Sequence, residues 1–142
     1  MLAKLLSEKH IQIIDQIQDW EAAIALAAKP LLAEGLIEES YIEAMIGALK
    51  KHGPYIVLGD YFALPHAQGG SGVNQLSMAL LNVGQEVDLL GKPVKSFLVL
   101  ASRDNTEHME ALMSLSNLLM DEANLKKFVH GNKEEVLELI NQ

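Results

Sequence analysis

The sequence predicts an α/β domain, a small mixed β-sheet flanked by helices. Three observations carry this. Compact apolar runs of strand length, above all Val94–Ala101, stand between stretches whose apolar residues recur every three to four positions. Residues that favour helix starts precede most of those stretches. The 142 residues, 49% hydrophobic and 21% charged, suit one domain spanning 1–142, with no internal repeat, low-complexity segment or long linker.

Taken in order, Leu2, Leu5 and Leu6 form one apolar side of a short helix. Ile11 and Ile13 alternate with Gln12, the pattern of a short strand before Asp15. Asp19 is placed to N-cap a helix from Trp20 into the mid-thirties, with Trp20, Ile24, Ala27 and Leu31 on its inner face. Pro30 predicts a kink or two helical pieces there, and Gly35 a C-terminal stop. Ser40-Tyr-Ile-Glu43 has the capping-box pattern, followed by Ile42, Met45 and Leu49 at helical spacing and by Gly53-Pro54 as terminator. Tyr55 to Leu58 and Phe62 to Leu64 read as short strands around Gly59-Asp60. Gln75 to Val83 reads as a longer strand and Val94–Ala101 as a buried one.

Asp104-Asn105-Thr106 opens the next helix. Glu107, Glu110, Ser114, Asn117 and Asp121 form its polar face, and His108, Leu112, Leu115 and Leu119 its inward face. Glu122 to Gln142 reads as two short helices parted by Gly131, with Asn132 and Glu135 as a second capping pair.

Composition narrows the function. The formal charge is −8 and Arg103 is the one arginine, which disfavours nucleic acid as a partner because phosphate neutralisation needs basic residues. The absence of cysteine excludes disulfides, thiol catalysis and Cys-based zinc sites. The apolar run from Met1 to Leu6 is too short for a signal peptide and is broken by Lys4. No apolar stretch approaches the roughly 20 residues of a membrane span. A cytoplasmic location is the expectation.

Two of the five histidines stand out by context. His66 follows an apolar segment and Pro65, which fixes its own φ and biases Leu64 toward extended backbone. A glycine-rich loop, Gln68 to Gly72, comes next. His108 falls in the first turn of the helix after Val94–Ala101. Both therefore belong at one sheet edge, where strand ends and helix N-termini meet and where anions are favoured.

Three chemistries could use such a pair. A neutral imidazole, with a reference pKa of about 6.5, is a competent phosphoryl acceptor near neutrality. The second histidine, a cation and nearby N–H groups would then stabilise the phosphoryl oxygens. Alternatively, the pair joins Asp60, Asp104 or Glu107 around a divalent metal, although the local H-x-x-x-H spacing is missing. In the third, the pair activates water for hydrolysis. The plainer alternative is that His108 is a hydrogen-bonded, partly buried packing residue. Gly69-Gly70-Ser71-Gly72 could cradle phosphate, but a flexible turn is the commoner use of such a run. His10, His52 and His130 read as surface or helix-end residues, and Lys50 and Lys51 as a solvated helix end.

The segment Leu58-Gly59-Asp-Tyr-Phe-Ala63-Leu64-Pro65-His66-Ala67, with Asp104-Asn-Thr-Glu-His108 opening a Leu-rich helix, resembles the active-site signature of the mannitol/fructose-type IIA components of the bacterial sugar phosphotransferase system. The resemblance runs from Trp20 to the C-terminal helices. It implies a cytosolic phosphotransferase whose His66 carries the phosphoryl group between HPr and a IIB component, and indirectly serves the membrane IIC transporter. It implies that His108 orients and stabilises that group, and that no cofactor or metal takes part. A basic residue in the preceding helix aligns at about Lys50. With Arg103, it is a candidate for electrostatic help. Phe62 replaces the family's usual aliphatic residue, a packing change. Gly53-Pro54-Tyr55-Ile56-Val57 is similar to the ascorbate-type branch, with galactitol, fructose or mannitol systems as alternatives. A phosphorylation-dependent regulatory module of the same fold is the competing reading, and a homodimer is left open.

Overall fold

The computed structural model describes residues 2–68 and 70–142. A five-stranded mixed sheet organises the molecule: β1 (Ile11–Ile14), β2 (Val57–Gly59), β3 (Phe62–Ala63), β4 (Ser77–Leu89) and β5 (Lys92–Ala101). Their spatial order is β1-β4-β5-β3-β2. The central hairpin β4–β5 is antiparallel, β1 adds in parallel to β4, and β3 adds in parallel to β5. Side chains alternate faces along a strand, so the central hairpin supplies two cores at once. Ala79, Leu81, Phe97 and Val99 point to one face, under α2 (Trp20–Ala33) and α3 (Glu39–His52). Met78, Leu80, Leu98 and Leu100 point to the other. There they meet α1 (Leu2–Leu5), α4 (Asn105–Leu119), α5 (Glu122–His130) and α6 (Lys133–Ile140). The expected α/β architecture is therefore a helix–sheet–helix sandwich.

Most helix ends follow their residues. Asp19 accepts from the Ala22 amide at 2.8 Å, Asp104 from Glu107 at 2.9 Å, and Asn132 from Glu135 at 2.9 Å. Gly35, at φ 73°, closes α2: its N–H reaches Leu32 O while the Leu36 N–H reaches Leu31 O. This is the paired bonding of a glycine-terminated helix.

Several expectations are corrected. Pro30 does not split α2, which runs unbroken through it. Proline has no N–H for the Leu26 carbonyl, but the Gln12 side-chain amide on β1 donates to that oxygen at 2.7 Å. The third helix starts at Glu39, capped by Glu38 without a side-chain bond, rather than from a Ser40 capping box. Glu38 is held extended because its N–H donates to Gly72 O at 2.8 Å, next to an Ile37–Val73 bridge. Asp121 caps α5, donating no face to α4, which ends at Leu119. The strand expected to end at Val83 continues to Leu89 and turns through Leu90-Gly91, both at positive φ. His10 is buried, with Nδ1 2.9 Å from Leu5 O and Nε2 2.6 Å from Glu34 Oε2, and so ties the N-terminal segment to the end of α2. His52 and His130 do close their helices at the surface.

Candidate active site

Because β3 and β5 run parallel, both end at the same sheet edge. The residues that follow β3 are Leu64, Pro65 and His66; those that follow β5 are Ser102, Arg103 and the capped start of α4. Topology alone therefore brings the two histidine segments together. Their backbones are also stitched: Leu100 N–H donates to Pro65 O at 3.0 Å and Leu64 N–H to Ile56 O at 2.9 Å. Pro65 sacrifices no ladder bond, since the interaction uses only its carbonyl.

The two imidazole rings lie 5.2 Å apart between centroids, tilted by 45°. His66 Nδ1 is 2.7 Å from Leu64 O. A carbonyl can only accept, so Nδ1 bears the hydrogen, and in the neutral ring the lone pair is on Nε2. His108 is held below the ordinary histidine range, first by burial and then by the nearby His66. It is neutral at pH 7. The Tyr55 ring stands edge-on to His66 at 5.7 Å, and its hydroxyl donates to His66 O at 3.3 Å. His66, His108, Ser102, Arg103, Asp104 and Asn105 line a polar cavity of about 330 Å³, with Ala67, Gln68 and Gly70 completing it.

Arg103 is at this cavity, whereas Lys50 is not among its lining residues. The Lys50 ammonium instead pairs with Glu21 on α2 at 3.3 Å, because its position on the last turn of α3 aims it along the α2 surface. From the end of α3, His52 shares a second cavity with Tyr55 and His66. Arg103 is clasped by Glu107: Nη2 donates to Oε2 at 2.6 Å, Nε to both carboxylate oxygens at 3.2 Å, and the backbone N–H to Oε1 at 2.9 Å. Those bonds from Arg103 hold the Glu107 carboxyl below its usual range. Gly69 lies outside the described residues. At Gly70, φ is 69° and a Cβ would fall 2.0 Å from Arg103 O, so only glycine lets the loop close on the cavity wall. Gly72 belongs to packing, its carbonyl capping the approach to α3.

Tyr41 is a site-supporting residue the sequence did not single out. Fully buried, it donates to Leu100 O at 2.6 Å and accepts from the Ala67 N–H at 3.1 Å. Burial pushes its hydroxyl up to about 12, so it stays a donor across the physiological range. Tyr41→Phe keeps the ring and leaves both backbone groups unpartnered. Each such loss costs about 1–3 kcal/mol. The expected result is a lower urea midpoint with unchanged slope; an unchanged midpoint would show that the two bonds carry no stability.

The mixed sheet thus carries two neighbouring imidazoles and a polar cavity at one edge, an arrangement that suits group transfer. The comparisons with known proteins define the class further. The family model described as "Phosphoenolpyruvate-dependent sugar phosphotransferase system, EIIA 2" matches residues 4–142, and the chain belongs to that family. It is thus an enzyme IIA component, a phosphocarrier of a sugar phosphotransferase system. Among relatives, it is 31% identical to the "Mannitol-specific cryptic phosphotransferase enzyme IIA component" of Escherichia coli (strain K12), over 96% of this chain and 94% of that one. It is 29% identical to the "Ascorbate-specific PTS system EIIA component" of Shigella boydii, over 97% and 93%. The solution structure of the E. coli cryptic mannitol IIA matches with a TM-score of 0.90 at 30% identity, over 98% and 97%. IIA-mannitol of E. coli, solved in complex with phosphorylated IIB-mannitol, matches at 0.80 and 26% identity, over 94% of each chain.

Proposed function

We propose that this chain relays a phosphoryl group from the phosphohistidine of HPr to a IIB component through His66 Nε2. One observation carries the assignment of atom: Leu64 O occupies the Nδ1–H, leaving the Nε2 lone pair for attack. That lone pair forms the new N–P bond while the donor's N–P bond breaks and its electron pair returns to the donor ring. No proton need move. The phosphorylated ring is cationic, so its Nδ1–H bond to Leu64 O strengthens as the phosphoryl group arrives. Delivery to IIB reverses these changes, with the acceptor atom supplying the electron pair.

His108 and Arg103 are the groups we assign to the phosphoryl oxygens. Lys50 is the weaker candidate because Arg103 lines the cavity and Lys50 does not. A IIB partner is supported by the IIA–IIB complex among the structural neighbours. HPr and an indirect IIC partner follow from the relay itself, and the relay needs no homodimer. No helix among the described residues is long and apolar enough to cross a membrane. We place the relay in the cytoplasm, where a soluble phosphohistidine donor would meet it. For the sugar, ascorbate is our reading, supported by the ascorbate-specific relative, with mannitol as the alternative from the mannitol-specific one.

Intact-mass measurement after incubation with phosphoenolpyruvate, enzyme I and HPr tests the relay. One phosphoryl adduct, labile in acid, is expected. An unmodified chain in the presence of active upstream proteins would overturn it.

A further inference from the structure

Arg103 offers the cavity less than a full positive charge. Two of its three guanidinium nitrogens, Nε and Nη2, are committed to Glu107, and its backbone N–H is bound to the same carboxylate. The Glu107 side chain is only 17% exposed while that of Arg103 is 57% exposed. The carboxylate is therefore anchored on the first turn of α4 and the guanidinium folds down onto it. Among the described residues Nη1 makes no bond to Glu107, and Arg103 lines the cavity. The anchoring has a topological cause: Glu107 is the third residue of a helix whose N-cap, Asp104, directly follows Arg103. A free arginine here would grip a phosphoryl dianion; an arginine already paired grips it less.

We propose that Glu107 is a positioning residue that sets the transfer potential of the site by holding and partly neutralising Arg103, so that the phosphoryl group on His66 is bound weakly enough to be passed on. This rests on the reading of His66 as phosphoryl carrier. A relay step works best when neither donor nor acceptor holds the group much more tightly than the other. The Glu107 charge supplies that weakness without altering the nucleophile. In the phosphorylated state Arg103 shares its donors between the carboxylate and the phosphoryl oxygens, and on delivery it returns wholly to Glu107. No bond beyond those of the relay is made or broken.

Glu107→Gln tests this. Glutamine keeps an oxygen that can accept from the Arg103 backbone N–H, but it removes the negative charge. The quantity read is the equilibrium of phosphoryl exchange between phospho-HPr and this protein. Removing one half-buried charge at this range should shift it by about three- to tenfold toward phosphorylated His66, with a smaller shift at high salt. Delivery to IIB should slow correspondingly. Arg103→Gln should shift the equilibrium the other way. In the double variant, the effect of Glu107→Gln should shrink, since the carboxylate acts through the arginine. A merely structural role would give loss in both single variants. A shift of Glu107→Gln in the same direction as Arg103→Gln, or no shift, overturns the proposal. A wild type that accepts no phosphoryl group would sink the carrier reading instead. Titration with inorganic phosphate, followed through the His66 and His108 ring resonances, then decides the role of Glu107 separately. Tighter phosphate binding in Glu107→Gln supports it; equal or weaker binding overturns it.

Discussion

His66→Ala is expected to take up no phosphoryl group at all while remaining folded. The loss should be complete rather than partial, because in the proposed relay the side chain supplies the atom that bonds to phosphorus. The structural consequence should be small by comparison. The ring contributes one bond, to Leu64 O, an edge contact to Tyr55 and a tilted contact to His108. A bond of that kind is worth about 0.5–1.5 kcal/mol. The segment itself is held by backbone, through Leu100 N–H to Pro65 O, and by Tyr41 through the Ala67 amide. Intact mass with phospho-HPr and a urea titration on the same sample separate chemistry from folding. An adduct of undiminished yield on folded His66→Ala would place the acceptor elsewhere, with His108 the first alternative. Loss of both adduct and cooperative unfolding would point to a structural role, and His66→Gln, which keeps a polar side chain, would then be the comparison.

Much of this site is readable in the sequence because its parts are local. Pro65-His66 after an apolar strand, and Asp104 capping a helix that bears His108 on its first turn, each need only a few residues to be recognised. That the two meet depends on β3 and β5 being parallel neighbours, and the strand-to-loop and strand-to-helix reading supplies that edge. Arg103 was reachable by position, since it immediately precedes the cap. Its clasp by Glu107 follows from the same helix start, an i, i+4 pair across the N-cap. The supporting residues are harder. Tyr41 reads as one residue of a helix N-terminus, yet its hydroxyl joins the two strand ends, donating to Leu100 O across 59 residues of sequence and accepting from the Ala67 N–H across 26. Lys50 shows the converse failure: helical spacing fixes which turn it occupies, but its carboxylate partner lies on another helix.

Three of the misread elements, at Pro30, Ser40 and His10, share a cause: a distant group overrode a sound local rule. Proline breaks helices because it orphans a carbonyl, and α2 survives because Gln12 from β1 reaches that carbonyl at Leu26. The capping box at Ser40 loses to a start at Glu39 because the loop at Gly72 and Val73 pins the preceding backbone as a bridge. His10 is drawn inside because Leu5 O and Glu34 present acceptors to both ring nitrogens. By contrast, Asp19, Asp104 and the Asn132–Glu135 pair, whose partners lie within three residues, form as their sequence predicts. Local chemistry is legible from sequence to the extent that its satisfying group is local too.

The second large effect is expected at His108, and here the loss is of rate. Removing one group that stabilises developing charge typically costs about 10²- to 10³-fold. His108→Ala should therefore slow phosphoryl transfer by about 10²-fold in both directions while leaving the adduct attainable at long times. His108→Gln, which keeps an amide donor, should recover part of the rate. The protonation state gives an independent reading. Burial first, then His66, hold the ring below its ordinary value of 6.5, so the free protein keeps His108 neutral at pH 7. The unfolded chain then binds this proton first as pH falls. The contribution of His108 to stability is present above pH 6.5 and declines as pH drops from there through the lower folded value. The gap in stability between wild type and His108→Ala should change in that window and be flat above it. A phosphoryl dianion on His66 reverses the local field, since negative charge now favours the imidazolium. The His108 ring should accordingly titrate at higher pH in the phosphorylated protein than in the free one, a shift readable from its ring resonances. If the ring titrates identically in the two states and His108→Ala transfers at the wild-type rate, His108 is a packing residue, and the stabilising work at the phosphoryl oxygens falls to Arg103 and the first amides of α4.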